Sequence, residues 1–290
     1  MLWFKKQPDQ AAPAGGLHDV IVPVTLAVGM DAGIFRSKFA VLLEVLGESG
    51  GADVFLDALA NKSRLFRELL DPGRIEGLAR DGIETLLETV MPARKRLGPA
   101  LVQMDEQGLT SAVRELLYGK GALEARMQRF VDALPAAAGA DEKSGRKLRR
   151  AGWDFAAELL HFRAPQRYPL MTRWVWDQST MSGAVRELLP GGDANNDIAL
   201  GSAPGMYESA RAWVAGQMAE QGVYREPLFA VDLFLAHAYA DYMRAMSSGM
   251  GLMNSDFGGK ADPMEPVSKL LGIDEPRRSG GSRLKKVTLH

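Results

Sequence analysis

From Ser37 to Met246 the apolar residues recur three and four positions apart, and this spacing restricts the chain to packed helices. "SKFAVLLEVLG" sets Phe39, Leu42, Leu43 and Leu46 on one face and closes at Gly47. "VFLDALANKSRLFRELLDPG" and "IEGLARDGIETLLETVMPARKRL" carry the same period, with Asp-Pro-Gly as the break between them. "SAVRELLYGKGALEARMQRFVDAL" gives Val113, Leu116 and Leu117, then Leu123, Met127, Phe130 and Val131. Alternating runs of the strand type are nearly absent. The expectation is an all-α protein of about eight to eleven helices, on the three- and four-residue period alone.

The helical body is expected over residues 18–250, between a Gln/Pro/Ala/Gly-rich leader at 1–17 and an extended arm at 251–290 rich in Gly, Pro and Met. "AAAGADEKSGRKLRRAG" (136–152) reads as a polar loop and a possible subdomain hinge near 136–150, leading into a helix "WDFAAELLHF". A further helix, "EPLFAVDLFLAHAYADYMRAM", opens on Glu226 and Pro227. The arm holds one short apolar cluster at Val267, Leu270, Leu271 and Ile273 and ends in a basic tail with Arg277, Arg278, Arg283, Lys285 and Lys286. Such an arm wraps its own domain or docks on a partner.

The chain has no cysteine, which excludes disulfides, thiolate metal sites and cysteine nucleophiles. The longest apolar stretch, "VIVPVTLAVGM" (20–30), is half the roughly 20 residues that a bilayer span needs. The apolar run at the N-terminus is too short for a signal peptide, so the expected location is the cytoplasm. A net charge of −1 advertises neither nucleic acid nor an anionic membrane, and any such binding has to come from a local patch.

One local patch is evident. "LLHFRAPQRYPLMTRWVWD" (159–177) combines His, Arg, Tyr, Trp and Pro in a corner that two prolines keep from being helical, with a new helix expected near Leu170. Phe162, Tyr168, Leu170, Trp174 and Trp176 are expected to staple that corner into the core. Between Lys143 and Arg173 lie Lys143, Arg146, Lys147, Arg149, Arg150, Arg163, Arg167 and Arg173, opposed only by Asp154 and Glu158. Arginines interleaved with aromatics such as Tyr168 and Trp174 suit an anion, a nucleic acid or an acidic protein surface.

"LLYG" (116–119), a polar connection and "RRAGWDFAAELLHFRAPQRYPLMTRWVWD" together resemble a corner of the helix-hairpin-helix DNA glycosylases, over residues 116–177. The shared pattern is a helix ending in Phe162, Pro165, Tyr168 and Pro169. That resemblance implies a DNA-backbone-binding scaffold, without base excision: Thr172 stands at the place of the family's catalytic aspartate and cannot stabilise a developing cation. "DALPAAAG" keeps the Leu-Pro of the DNA-gripping hairpin but lacks its Gly-x-Gly.

Two further patterns carry chemistry. Glu158 and His161 form a Glu-x-x-His pair on one helical face, and His237 with Asp241 an i, i+4 pair on another, the elements of a bundle metal centre. A di-iron pattern needs more carboxylates than these, and four histidines in all leave buried structural roles as the plainer reading. Met243, Met246, Met250 and Met253 make a methionine stripe that suits core packing or an adaptable interface. Nucleophile elbows and phosphate loops are missing from the sequence. The reading as a whole is a cytoplasmic, non-enzymatic helical protein that needs no cofactor and acts by binding a protein partner, with DNA binding and a helical metal centre as the alternatives.

Overall fold

A computed structural model describes residues 19–135, 141–191, 198–249 and 262–274. Ten α-helices and no strand occur among them, in one all-α globular domain. The helices are α1 (Ala32–Glu48), α2 (Ala52–Leu69), α3 (Arg80–Glu88), α4 (Met91–Gln103), α5 (Glu106–Tyr118), α6 (Leu123–Asp132), α7 (Glu142–Arg163), α8 (Pro204–Glu220), α9 (Pro227–Gly249) and α10 (Glu265–Leu271). None of the described helices is long and apolar enough to cross a membrane.

Two long helices organise the body. α7 packs on α2, α4, α5 and α6, whereas α9 packs on α1, α2, α8 and α10, so α2 belongs to both clusters. Gly152 of α7 faces the end of α6, where a Cβ atom would lie 2.5 Å from Leu134 Cδ1 and 3.4 Å from Val131 Cγ2. Caps fix several helix starts: Asp31, Asp105 and Asp141 each accept hydrogen bonds from backbone N–H groups of the first turn.

Several expectations change. Residues 142–150 are the opening turns of α7 and not a loop, because the Asp141 side chain caps the helix through Ser144 N at 2.7 Å. Residues 136–140 lie outside the described segments, as do the leader, the basic tail and the rest of the arm apart from residues 262–274. No helix begins near Leu170: residues 164–190 run as consecutive turns, with one isolated bridge between Asp177 and Ser182 and a 3-10 turn at Arg186–Leu188. Leu43 is 53% exposed, since α1 turns Phe35, Phe39, Leu42 and Leu46 inward instead.

The apolar stretch after residue 19 is an extended strap over the surface. Asp19 Oδ2 accepts from Arg126 at 2.5 Å and from the Tyr168 hydroxyl at 2.6 Å. Val24 N–H donates to Ser209 Oγ at 2.7 Å, and the Ser209 hydroxyl returns a bond to Val24 O at 2.6 Å. The strap thereby ties α6, the proline corner and α8 together, with Ile21 against the core and Val20 and Val22 facing solvent.

Candidate functional site

α7 spans about 33 Å at 1.5 Å per residue, and its two halves differ in environment. Ala151 to Phe162 is buried apart from Trp153, while the cations of the first turns are exposed. The residues expected to act together are therefore distributed over two places.

The buried half holds the first polar centre. Lys62, on α2, is enclosed and donates to Glu158 Oε2 at 2.6 Å, Leu271 O at 2.7 Å and Thr89 O at 3.0 Å. Its ammonium also sits 4.1 Å from the centre of the Phe162 ring. Burial pushes the Lys62 pKa down and the Glu158 pKa up, and each partner's charge opposes the other's shift. One turn on, His161 Nδ1 lies 2.8 Å from Tyr168 O and its Nε2 2.8 Å from Asp232 Oδ2. A carbonyl only accepts, so Nδ1 carries a proton, and the bond across Nε2 and Oδ2 shares another with Asp232 on α9.

Of the expected metal residues, Glu158, His161 and Asp241 are committed to other partners, and His237 stands apart from Glu158 and His161. Glu158 is paired with Lys62, both ring nitrogens of His161 have partners, and Asp241 is held by Arg244 through Oδ1 at 2.6 Å, with His237 Nδ1 3.6 Å from its other oxygen and outside hydrogen-bond reach. Among the described residues no three of His, Asp and Glu gather as a ligand set. Burial lowers the pKa of His237, against the raising influence of Asp241.

A second centre joins α7 to the proline corner. Asp154 is buried and accepts from Arg173 backbone N–H at 2.9 Å and from its guanidinium at 2.7 Å and 3.1 Å. Desolvation raises the Asp154 pKa while Arg173 opposes the shift. Trp174, Trp176 and Tyr168 are buried at this corner as expected of a staple. The Trp176 indole donates to Gly201 O at 3.1 Å, and Tyr207 donates to Trp176 O at 2.9 Å. Thr172 is fully enclosed, and its Oγ1 and the Trp174 Nε1 have no hydrogen-bond partner among the described residues.

The structure therefore divides the basic aromatic corner. Arg163 donates to Leu70 O and the Tyr118 hydroxyl, each at 3.1 Å, and Arg173 is committed to Asp154, so these two cations are internal braces. Tyr168 and Trp174 are likewise interior and offer no exposed stacking face. Arg167 remains exposed but lies at the far end of α7 from the first-turn cations.

Lys143, Arg146, Lys147, Arg149 and Arg150 stay together on the exposed half. Arg146 pairs with Glu142, Arg149 with Asp132 at 2.6 Å, and Arg150 reaches Ser179 Oγ at 3.4 Å. Lys143 and Lys147 have no ion-pair partner among the described residues. Met243 and Met246 lie on the partly exposed end of α9, while Met250 and Met253 are outside the described residues.

The sequence reading missed Lys62, Asp232, Asp154 as an acceptor, and Asp19. Lys62 had a legible signal: it interrupts the apolar face formed by Phe55, Leu59 and Phe66, where a charged side chain has to find a buried partner. The chain as a whole matches no family model, no curated protein and no solved structure.

Proposed function

We propose that this protein is a non-enzymatic binding protein of the cytoplasm, which presents the exposed half of α7 to an acidic surface of a protein partner. The observation that carries the reading is the division of α7. The chemistry-bearing side chains of its buried half are consumed by internal partners, while five cations remain together within its first turns. The lack of cysteine fits a reducing compartment.

A protein partner is favoured over single-stranded nucleic acid because base stacking needs exposed aromatic faces, and Tyr168, Trp174 and Trp176 are inside. Duplex DNA, which the glycosylase-like resemblance would suggest, needs only the cations and is the outcome to separate from it.

The test compares wild type with Lys143→Glu/Lys147→Glu/Arg150→Glu in capture from host lysate, with and without nuclease, followed by reconstitution from purified components. The expected result is an acidic partner that survives nuclease, binds the purified wild type and loses most affinity for the variant. Equal binding by wild type and variant would overturn the reading. Capture of nucleic acid alone, weakening steeply with salt as counterions are released, would replace it by DNA binding.

A further inference from the structure

We infer that residues 262–274 form a latch that opens and closes independently of the helical body, with Lys62 as its catch. α10 has seven residues, fewer than an isolated helix needs to persist in water, so its helicity exists only where it is docked. It docks on α4 and α9 by inserting Met264, Val267, Leu270 and Leu271, which are buried.

The polar attachment is concentrated at the C-terminal end of α10. Lys62 donates to Leu271 O at 2.7 Å, capping a carbonyl that the helix itself leaves unsatisfied. The next residue, Gly272, holds φ at 64° and ends the helix in the left-handed conformation. A Cβ atom there would lie 1.5 Å from Thr89 O, and Thr89 O is itself a Lys62 acceptor at 3.0 Å. The latch thus closes onto the α3–α4 junction and onto a buried ammonium at the same point.

Its other polar ties are at the opposite end. Arg244 donates to Pro263 O at 3.3 Å, and the Ser49 hydroxyl donates to Asp262 Oδ1 at 3.5 Å.

The catch also supplies a reason for opening. When the latch lifts, Lys62 loses Leu271 O, but the ammonium and Glu158 regain water that both surrendered on burial. Rehydration of a desolvated ion pair offsets part of the lost apolar contact. Two accessible states then differ in a specific way: closed, with the Lys62–Glu158 pair sealed; open, with that pair and the apolar bed on α4 and α9 uncovered.

Hydrogen exchange of the full-length wild type read by mass spectrometry, with lysine acetylation footprinting, tests this without any variant. The expected result is exchange of 262–274 at least tenfold faster than the α7 core peptide 154–162 and insensitive to low denaturant, as local opening requires. Exchange of 262–274 only together with 154–162, at one common rate, would overturn the latch.

Gly272→Ala adds a second arm, because its Cβ would strike Thr89 O and strain the closure. Acetylation of Lys62 should rise several-fold in that variant while exchange of 154–162 stays at the wild-type rate. Lys62 labelling unchanged from wild type would overturn its role as the catch.

Discussion

The two halves of α7 show how a single helix sorts charge by environment. In the exposed half the ion pairs of Arg146 and Arg149 are solvated, and pairs of that kind contribute little to stability. In the buried half, Glu158, His161 and Asp154 each have a partner from another element: α2, α9 and the proline corner. A charge-bearing residue there cannot be removed alone without leaving its partner desolvated. The same residue types are thus interchangeable in one half and interlocked in the other.

Four measurements would break or sharpen that contrast. The largest effect is expected for Lys62→Met or Glu158→Leu, each of which strands one buried charge; chemical denaturation should show a loss of about 3–5 kcal/mol. The Lys62→Met/Glu158→Leu double variant should recover much of that loss, and failure to recover would mean that Lys62 acts mainly through Leu271 and Thr89.

Next comes Asp154→Ala, which takes the acceptor from Arg173 and should cost about 2–3 kcal/mol by the same assay. A cost near zero would show that water replaces the carboxylate.

A smaller effect belongs to His237. Its pKa in the folded chain is lowered by burial, despite Asp241, and Arg244 and Lys38 act in the same downward direction as burial. The unfolded chain therefore takes up the proton first as pH falls. His237 should withdraw stability as pH drops below about 6.5 towards its lower folded value. The raised pKa values of Asp154 and Glu158 act with the opposite sign at acid pH. The informative quantity is consequently the difference in melting temperature between wild type and His237→Gln from pH 7.5 to 5.5, which should shift in favour of the variant on acidification.

The smallest stability effect is expected for Lys143→Glu/Lys147→Glu, within about 0.5 kcal/mol in denaturation, as for other surface changes away from special contacts. A larger loss would mean that the exposed half is also structurally committed.

The helical body was legible because period and burial agree: Val113, Leu116, Leu117, Met127 and Phe130 are all interior, as their spacing predicts. The start of α7 was misread because Glu142 to Arg150 is too polar to show an apolar face, although Asp141 followed by Glu142 is a sound helix-start signal.

The site was less legible for a different reason. Lys62 and Glu158 are 96 residues apart and His161 and Asp232 are 71 apart, and nothing local announces that they meet. A cluster of cations in sequence likewise does not reveal which will face inward. Arg173 was claimed by Asp154, 19 residues earlier, and Arg163 by carbonyl and hydroxyl oxygens near residues 70 and 118.

The surface strap has a consequence for the order of assembly. Asp19 leaves the ribosome early, yet its two anchors follow 107 and 149 residues later, and the serine that holds Val24 comes after 185. During synthesis a run of valines is exposed with nowhere to go until the proline corner and α8 exist. Its binding sites must be built before it can be seated, so the strap can close only after most of the body has been made. Until then it stays open to chaperones and to neighbouring nascent chains.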